Sequence, residues 1–271
     1  MRKLFRTKRT VILFAAMVFA VLSVIFAAAS SIMEHPEEDS AKGGLVAGNT
    51  VKDDERQYGS RGMGSGKSRV YEKGTGIADL SAGNFLVVID PGHGGNDYGT
   101  GAEGIDEKDI VLEISLKLGK LLEDSGIKVL YTRSTDEYIT LGKRAEIANN
   151  AGADLFISVH INALEDDTLC SGSETLFSGK DDNSEGKIDS ERFAGIVQDE
   201  IVTALGTKDN GIIERPRLAV LRQTNMPAVI AELGYITNES DREKLKSDKY
   251  KELAAEALFT ASLKALDEMQ R

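Results

Sequence analysis

The chain has 271 residues, of which 41% are hydrophobic and 28% charged, and a formal net charge of −11. That is enough apolar material for one good-sized core, and an acidic chain without a basic aromatic patch argues against nucleic acid as a partner. A single cysteine, Cys170, excludes an internal disulfide framework and a cysteine-rich zinc knuckle, and reads as a bystander thiol.

Arg2, Lys3, Arg6, Lys8 and Arg9 precede an apolar run over 11–29 in which only Ser23 is polar. A basic stretch leading into an apolar one directs export, and this run is long enough to cross a hydrocarbon layer of ~30 Å. Residues 1–29 are therefore expected to be an N-terminal membrane anchor. With Ala27, Ala28, Ala29 and Ser30 as a cleavage site, they would instead be a removable signal peptide. Either way the remainder faces outward. No acid lies in 1–29, so losing its five cations leaves a net charge of −16 on the rest. Residues 30–84 hold ten glycines between Gly43 and Gly83 among mixed charges, the composition of a flexible linker. His35, beside Glu34 and Pro36, belongs to that linker.

A folded domain is expected over 85–271. Phe85, Leu86, Val87, Val88 and Ile89 form a strand buried on both faces that runs into the glycine-rich exit Asp90-Pro91-Gly92-His93-Gly94-Gly95. The spacing of Ile110, Val111, Ile114, Leu118, Leu121 and Leu122 predicts a helix over 107–125, with Gly126 as its stop. A strand is expected at 128–132, a helix at 139–150, a strand at 153–160, another at 172–177 and a helix at 190–205. Strands at 217–222 (RLAVLR) and 227–233 (PAVIAEL) then precede a last helix at 250–266. Alternating strands and helices predict a three-layer α/β/α domain with a mostly parallel sheet.

Three polar residues stand where packing alone would not choose them. His93 follows the first strand, His160 ends LFISVH, and Glu232 interrupts PAVIAEL. In a parallel sheet the carboxyl ends of strands face one way and collect the chemistry, and an unpaired charge buried there is expensive. A catalytic zinc site takes three nitrogen or oxygen ligands and keeps a fourth position for water. Glu107, in the first turn of the helix after the His93 loop, is the candidate third ligand; a helix-N-terminal acid complementing the dipole accounts for it equally well.

The motifs IDPGHGG (89–95), GIDEKD (104–109), TRSTD (132–136), RAEIANNAGADLFISVHIN (144–162) and MPAVIAELGYITN (226–238) resemble, in order, those of the zinc-dependent N-acetylmuramoyl-L-alanine amidases of the amidase-3 type. The resemblance covers essentially all of 85–271. It implies a six-stranded α/β sheet flanked by helices and one Zn2+ ion held by His93, Glu107 and His160, with Glu232 as the catalytic glutamate. The implied reaction is hydrolysis, in peptidoglycan, of the amide between the lactyl group of N-acetylmuramic acid and L-alanine. A zinc peptidase acting on the stem peptide, or a non-catalytic wall-binding module, are the rival classes.

Lesser candidates surround this set. Asp90 or Asp97 could hydrogen-bond a ligating imidazole, with turn capping as the alternative for Asp90. Asn162 and Glu174 could line the groove. Arg133 and Arg144 are expected to pair internally with Asp136 and Glu146 rather than meet substrate carboxylates. Residues 164–190 are short, polar and Gly/Ser-rich, which predicts an open groove without a plugging helix. The sequence identifies no protein regulator.

Overall fold

The structure, a computed structural model, describes residues 84–179 and 188–270. The expected anchor (1–29) and nearly all of the expected linker lie outside the described residues. In chain order the elements are β1 (Leu86–Pro91), a small hairpin of β2 (Gly101–Ala102) and β3 (Ile105–Asp106), α1 (Glu107–Asp124), β4 (Lys128–Tyr131), α2 (Leu141–Ala151), β5 (Leu155–Asn162) and β6 (Ser173–Phe177). They continue with α3 (Ser190–Leu205), β7 (Asp209–Glu214), α4 (Ala219–Gln223), β8 (Ala228–Tyr235), α5 (Glu239–Lys246) and α6 (Asp248–Gln270).

Local chemistry sets the helix ends. The Thr140 hydroxyl caps α2 by accepting from the Lys143 N–H, and Gly152 closes it in the left-handed region. Asp189 and Gly206 do the same for α3, and Asn238 caps α5. The six long strands form one sheet in the order β4-β1-β5-β8-β6-β7. All neighbours run parallel except β6 and β8, so the sheet is mostly parallel, as expected.

Alternation along the strands divides the core between two faces. Val87, Ile89, Leu155, Ile157, Val159, Val229, Ala231 and Leu233 pack on one face, against the long helices α1, α3 and α6. Val88, Phe156, Leu176, Ala228 and Ile230 pack on the other, against α2 and the five-residue α4. This second face is thinly covered. Its inward positions near the exits of β1, β5 and β8, namely Asp90, Ser158, His160 and Glu232, are polar, as is Glu174 at the start of the antiparallel β6.

Two expectations need correction. RLAVLR is not a strand: Ala219–Gln223 is helix α4, which buries Val220 and Leu221 over the thin face. A short apolar run has no period long enough to separate helix from strand. The sixth strand is instead β7, DNGIIE, an edge strand whose alternating half-exposed residues left no apolar run to read. No helix among the described residues is long and apolar enough to cross a membrane. No helix forms among residues 163–179 either, and 180–187 lie outside the described residues.

Candidate active site

Register brings distant residues into one row. His160 pairs with Glu232 across β5 and β8, and Glu232 pairs with Glu174 across β8 and β6. On the other side of His160, Gly92 donates its N–H to the Val159 carbonyl at 3.0 Å. A side chain here would collide with the His160 ring, so glycine is what leaves room for that imidazole. Gly92→Ala should therefore displace His160 and weaken metal binding while leaving the fold intact, checked by metal titration alongside circular dichroism.

His93 sits in the left-handed region at φ 58°, followed by Gly94 at 126° and Gly95 at 61°. A bulky residue is strained there, and buried cations hold the loop. Arg133 donates to the carbonyls of Pro91 (3.0 Å), Gly92 (2.7 Å) and Lys108 (2.9 Å). Arg144 donates to those of Pro91 (2.7 Å), His93 (2.6 Å) and Ile139 (2.9 Å). Lys108 donates to the Gly95 carbonyl and to Asp136, whose other oxygen accepts the Gly95 N–H. Arg133 and Arg144 thus point beneath the loop, as the structural reading expected, but with different partners. Arg144 pairs with Asp90 at 2.8 Å and not with Glu146, which pairs with Lys143; Asp136 pairs with Lys108 and not with Arg133.

Asp90 is buried and fully used: it accepts from Arg144, from the Thr132 hydroxyl at 2.5 Å and from the Ser158 hydroxyl at 2.7 Å. Removing one partner of a buried pair strands the other charge. Arg144→Met should lower stability by about 3–5 kcal/mol in chemical denaturation. Arg144→Lys should recover only part of this, since an ammonium lacks the planar fork.

Above this platform, Glu107 lies between the two imidazoles. Its Oε1 is 2.9 Å from His160 Nδ1 and its Oε2 is 3.2 Å from His93 Nε2, while the N–H groups of Thr100 and Ile161 donate to it at 2.9 Å each. One donor atom from each of His93, Glu107 and His160 lies within 4.8 Å of the others, a group that could hold a metal ion. Burial opposes ionisation of Glu107, but hydrogen bonds from His160 and His93 outweigh it and hold the carboxyl well below the usual range. Burial likewise disfavours charge on His160, yet the Glu107 carboxylate pushes it up to about 9. Metal-free, the cluster therefore keeps a proton where a cation would otherwise sit. Two imidazoles and an ionised carboxylate are a donor set that suits zinc.

Asp97 Oδ1 stands 2.9 Å from His93 Nδ1 and fixes that ring, the role foreseen for Asp90 or Asp97; Asp90 does not reach it. Glu232 has its Oε2 shielded from solvent without a hydrogen-bond partner. Burial, followed by the attraction of His160 and the repulsion of Glu107 and Glu174, leaves its carboxyl raised to about 7. Glu174 is buried and tied at both oxygens, by Asn162 Nδ2 at 2.9 Å and the Tyr235 hydroxyl at 3.1 Å, so it supports the groove rather than lining it. Sequence reasoning missed Thr132, Ser158, Lys108 and Tyr235. TRSTD and EKD contain the first and third, but nothing in a polar side chain's spacing tells which carbonyl or carboxylate it meets. Cys170 is half-buried and donates to Asp167.

A family profile described as N-acetylmuramoyl-L-alanine amidase matches residues 87–263. The chain is 40% identical over 172 residues to the uncharacterized protein YqiI of Bacillus subtilis (strain 168), covering 64% of this chain and 80% of that one. It is 37% identical over 177 residues to N-acetylmuramoyl-L-alanine amidase LytC of the same strain, and that match spans 65% of this chain but only 34% of LytC. Among solved structures, an N-acetylmuramoyl-L-alanine amidase from Clostridium difficile 630 is 39% identical with a TM-score of 0.63, covering 68% of this chain and 97% of that one.

Proposed function

This chain belongs to the N-acetylmuramoyl-L-alanine amidase family and is a peptidoglycan hydrolase of that type, and from that premise we propose which of its residues do the work. The bond cut joins the lactyl group of N-acetylmuramic acid to the L-alanine of the stem peptide. His93, Glu107 and His160 hold one zinc ion, and Glu232 moves the proton. When bound, the ion supplies Lewis acidity, polarising the amide carbonyl and acidifying water. The observation that carries the reading is the bare, buried Oε2 of Glu232 in the same row as His160.

Glu232 takes the proton of the attacking water as the tetrahedral centre forms. It then delivers that proton to the L-alanine nitrogen, so that an amine leaves and not an amide anion. A buried carboxylate oxygen with no hydrogen-bond partner is free to accept that proton and to return it. Asp97 keeps His93 oriented, and the Arg133–Arg144 platform keeps its loop in the left-handed turn. The basic-then-apolar residues 1–29 would place the domain outside the cytoplasm and tether it to the membrane, with 30–84 as its reach. Labelling of new amino termini after incubation with peptidoglycan tests the reaction: N-terminal L-alanine is expected, and a label on another stem residue would make this a peptidase.

Metal binding should carry a pH signature. In the metal-free protein the raised His160 pKa contributes stability that is complete below about 6.5 and is lost as pH rises through about 9. A cation must displace that proton, so apparent zinc affinity should keep rising to about pH 9. Competition with a chromophoric chelator measures this. An affinity that levels off near pH 6.5 would contradict a protonated His160–Glu107 pair.

A further inference from the structure

The hairpin of β2 and β3 turns at Glu103 and Gly104, and both residues have positive φ, 52° and 80°. A two-residue turn of this kind favours asparagine, aspartate or glycine at its first position. A glutamate there is strained and gains nothing locally, so its use lies in what the side chain reaches. Its Oε1 accepts from Arg242 Nη2 at 2.8 Å and its Oε2 from Lys246 Nζ at 3.2 Å, both on α5. Exposed ion pairs usually contribute little, but here one partner is already held. Arg242 is 8% exposed, its Nη1 donates to the Ile236 carbonyl at 3.1 Å, and its Nε is buried without a partner. A guanidinium withdrawn from water needs a counter-ion, and Glu103 is the carboxylate it meets.

The hairpin needs such an anchor. It pairs Gly101 with Asp106 and Ala102 with Ile105, and the two apolar members of those pairs are only half-buried against the core. Two strands this short are marginal by themselves. Yet the base of the hairpin packs on the metal group. The Thr100 N–H donates to Glu107 Oε2 at 2.9 Å, and the Thr100 carbonyl accepts from the Glu107 N–H at 2.8 Å. A side chain at Gly99 would strike both Glu107 Oε2 and the His93 ring. At the other end of the tether, α5 follows directly on β8, the strand that carries Glu232.

Resting on the zinc reading above, we propose that Glu103 is a positioning residue: by fastening the hairpin tip to Arg242 and Lys246, it holds Thr100 against Glu107 and so sets how tightly His93, Glu107 and His160 bind zinc. It acts through the hairpin and not by contact with the ion.

Glu103→Gly in the full chain tests this, because it relieves the turn while removing the anchor. Zinc affinity, measured by chelator competition, should fall about tenfold, the low end for loss of a group that orients a ligand. Hydrogen exchange at the Thr100 amide should quicken in the metal-free chain, with circular dichroism unchanged. Glu103→Gln, which keeps an acceptor but not the charge, should lie between the two. Adding Arg242→Met to Glu103→Gly should weaken zinc binding no further, since the pair is already broken. Unchanged or tighter zinc binding by Glu103→Gly would make Glu103 a turn residue and overturn the proposal, as would losses that multiply in the double variant. Failure of the zinc reading looks different: the unaltered chain binds no zinc, while Thr100 exchange still quickens in Glu103→Gly.

Discussion

Glu232→Gln is expected to lower amide hydrolysis by about 10²–10⁴-fold while zinc still binds in the same ratio. Glutamine keeps the shape of the side chain at the centre of the Gly92–His160–Glu232–Glu174 row but can neither accept nor return a proton. The carboxylate is not among the donor atoms that cluster around Glu107, so the metal group stays whole. A second readout separates proton work from packing. Burial raises the Glu232 carboxyl to about 7 in the metal-free protein, so its favourable protonated form is fully present below about 4.5 and lost as pH rises through about 7. The glutamine variant has no such loss. With chelator present, its thermal stability should gain on the unaltered protein between those two pH values and hold the gain above. Near-normal turnover, or zinc lost together with activity, would remove Glu232 from the role assigned to it.

Glu107→Ala should abolish zinc binding and activity together, because this one carboxylate spaces both imidazoles and accepts two backbone N–H groups. Asp97→Ala provides the graded comparison. It removes only the group that orients His93, for which about a 10–100-fold loss of metal affinity is expected. The Glu107 loss should exceed that by a wide margin. Calorimetric zinc titration of the two variants measures the order, and equal affinities would mean that Glu107 merely complements the dipole of helix α1.

His93, His160 and Glu232 stand out in the sequence for a physical reason, whereas Glu107 is singled out only by the family resemblance, since an acid in a first helical turn is accounted for equally well by the helix dipole. A buried strand must be apolar, so His160 and Glu232 inside LFISVH and PAVIAEL stand out as exceptions that packing does not explain. The same reasoning recovers β1, β5, β8 and the long helices, whose periodicity is set by burial. It fails at α4, where five residues contain too little period to tell helix from strand, and at β7, whose edge position never demanded an apolar run. It also fails at the polar platform. Asp90, Thr132, Arg144 and Ser158 are separated by up to 68 positions in sequence and meet only because β4, α2 and β5 converge on β1.

The most direct test of zinc-dependent amide cleavage is mass spectrometry of peptidoglycan fragments after incubation with the full chain, with chelator, and with zinc restored after chelation. Free stem peptides beginning with L-alanine are expected, together with glycan bearing intact lactyl carboxylates. These products should disappear with chelator and return with zinc. Cleavage within the stem peptide, or the same products in the presence of chelator, would contradict the assignment.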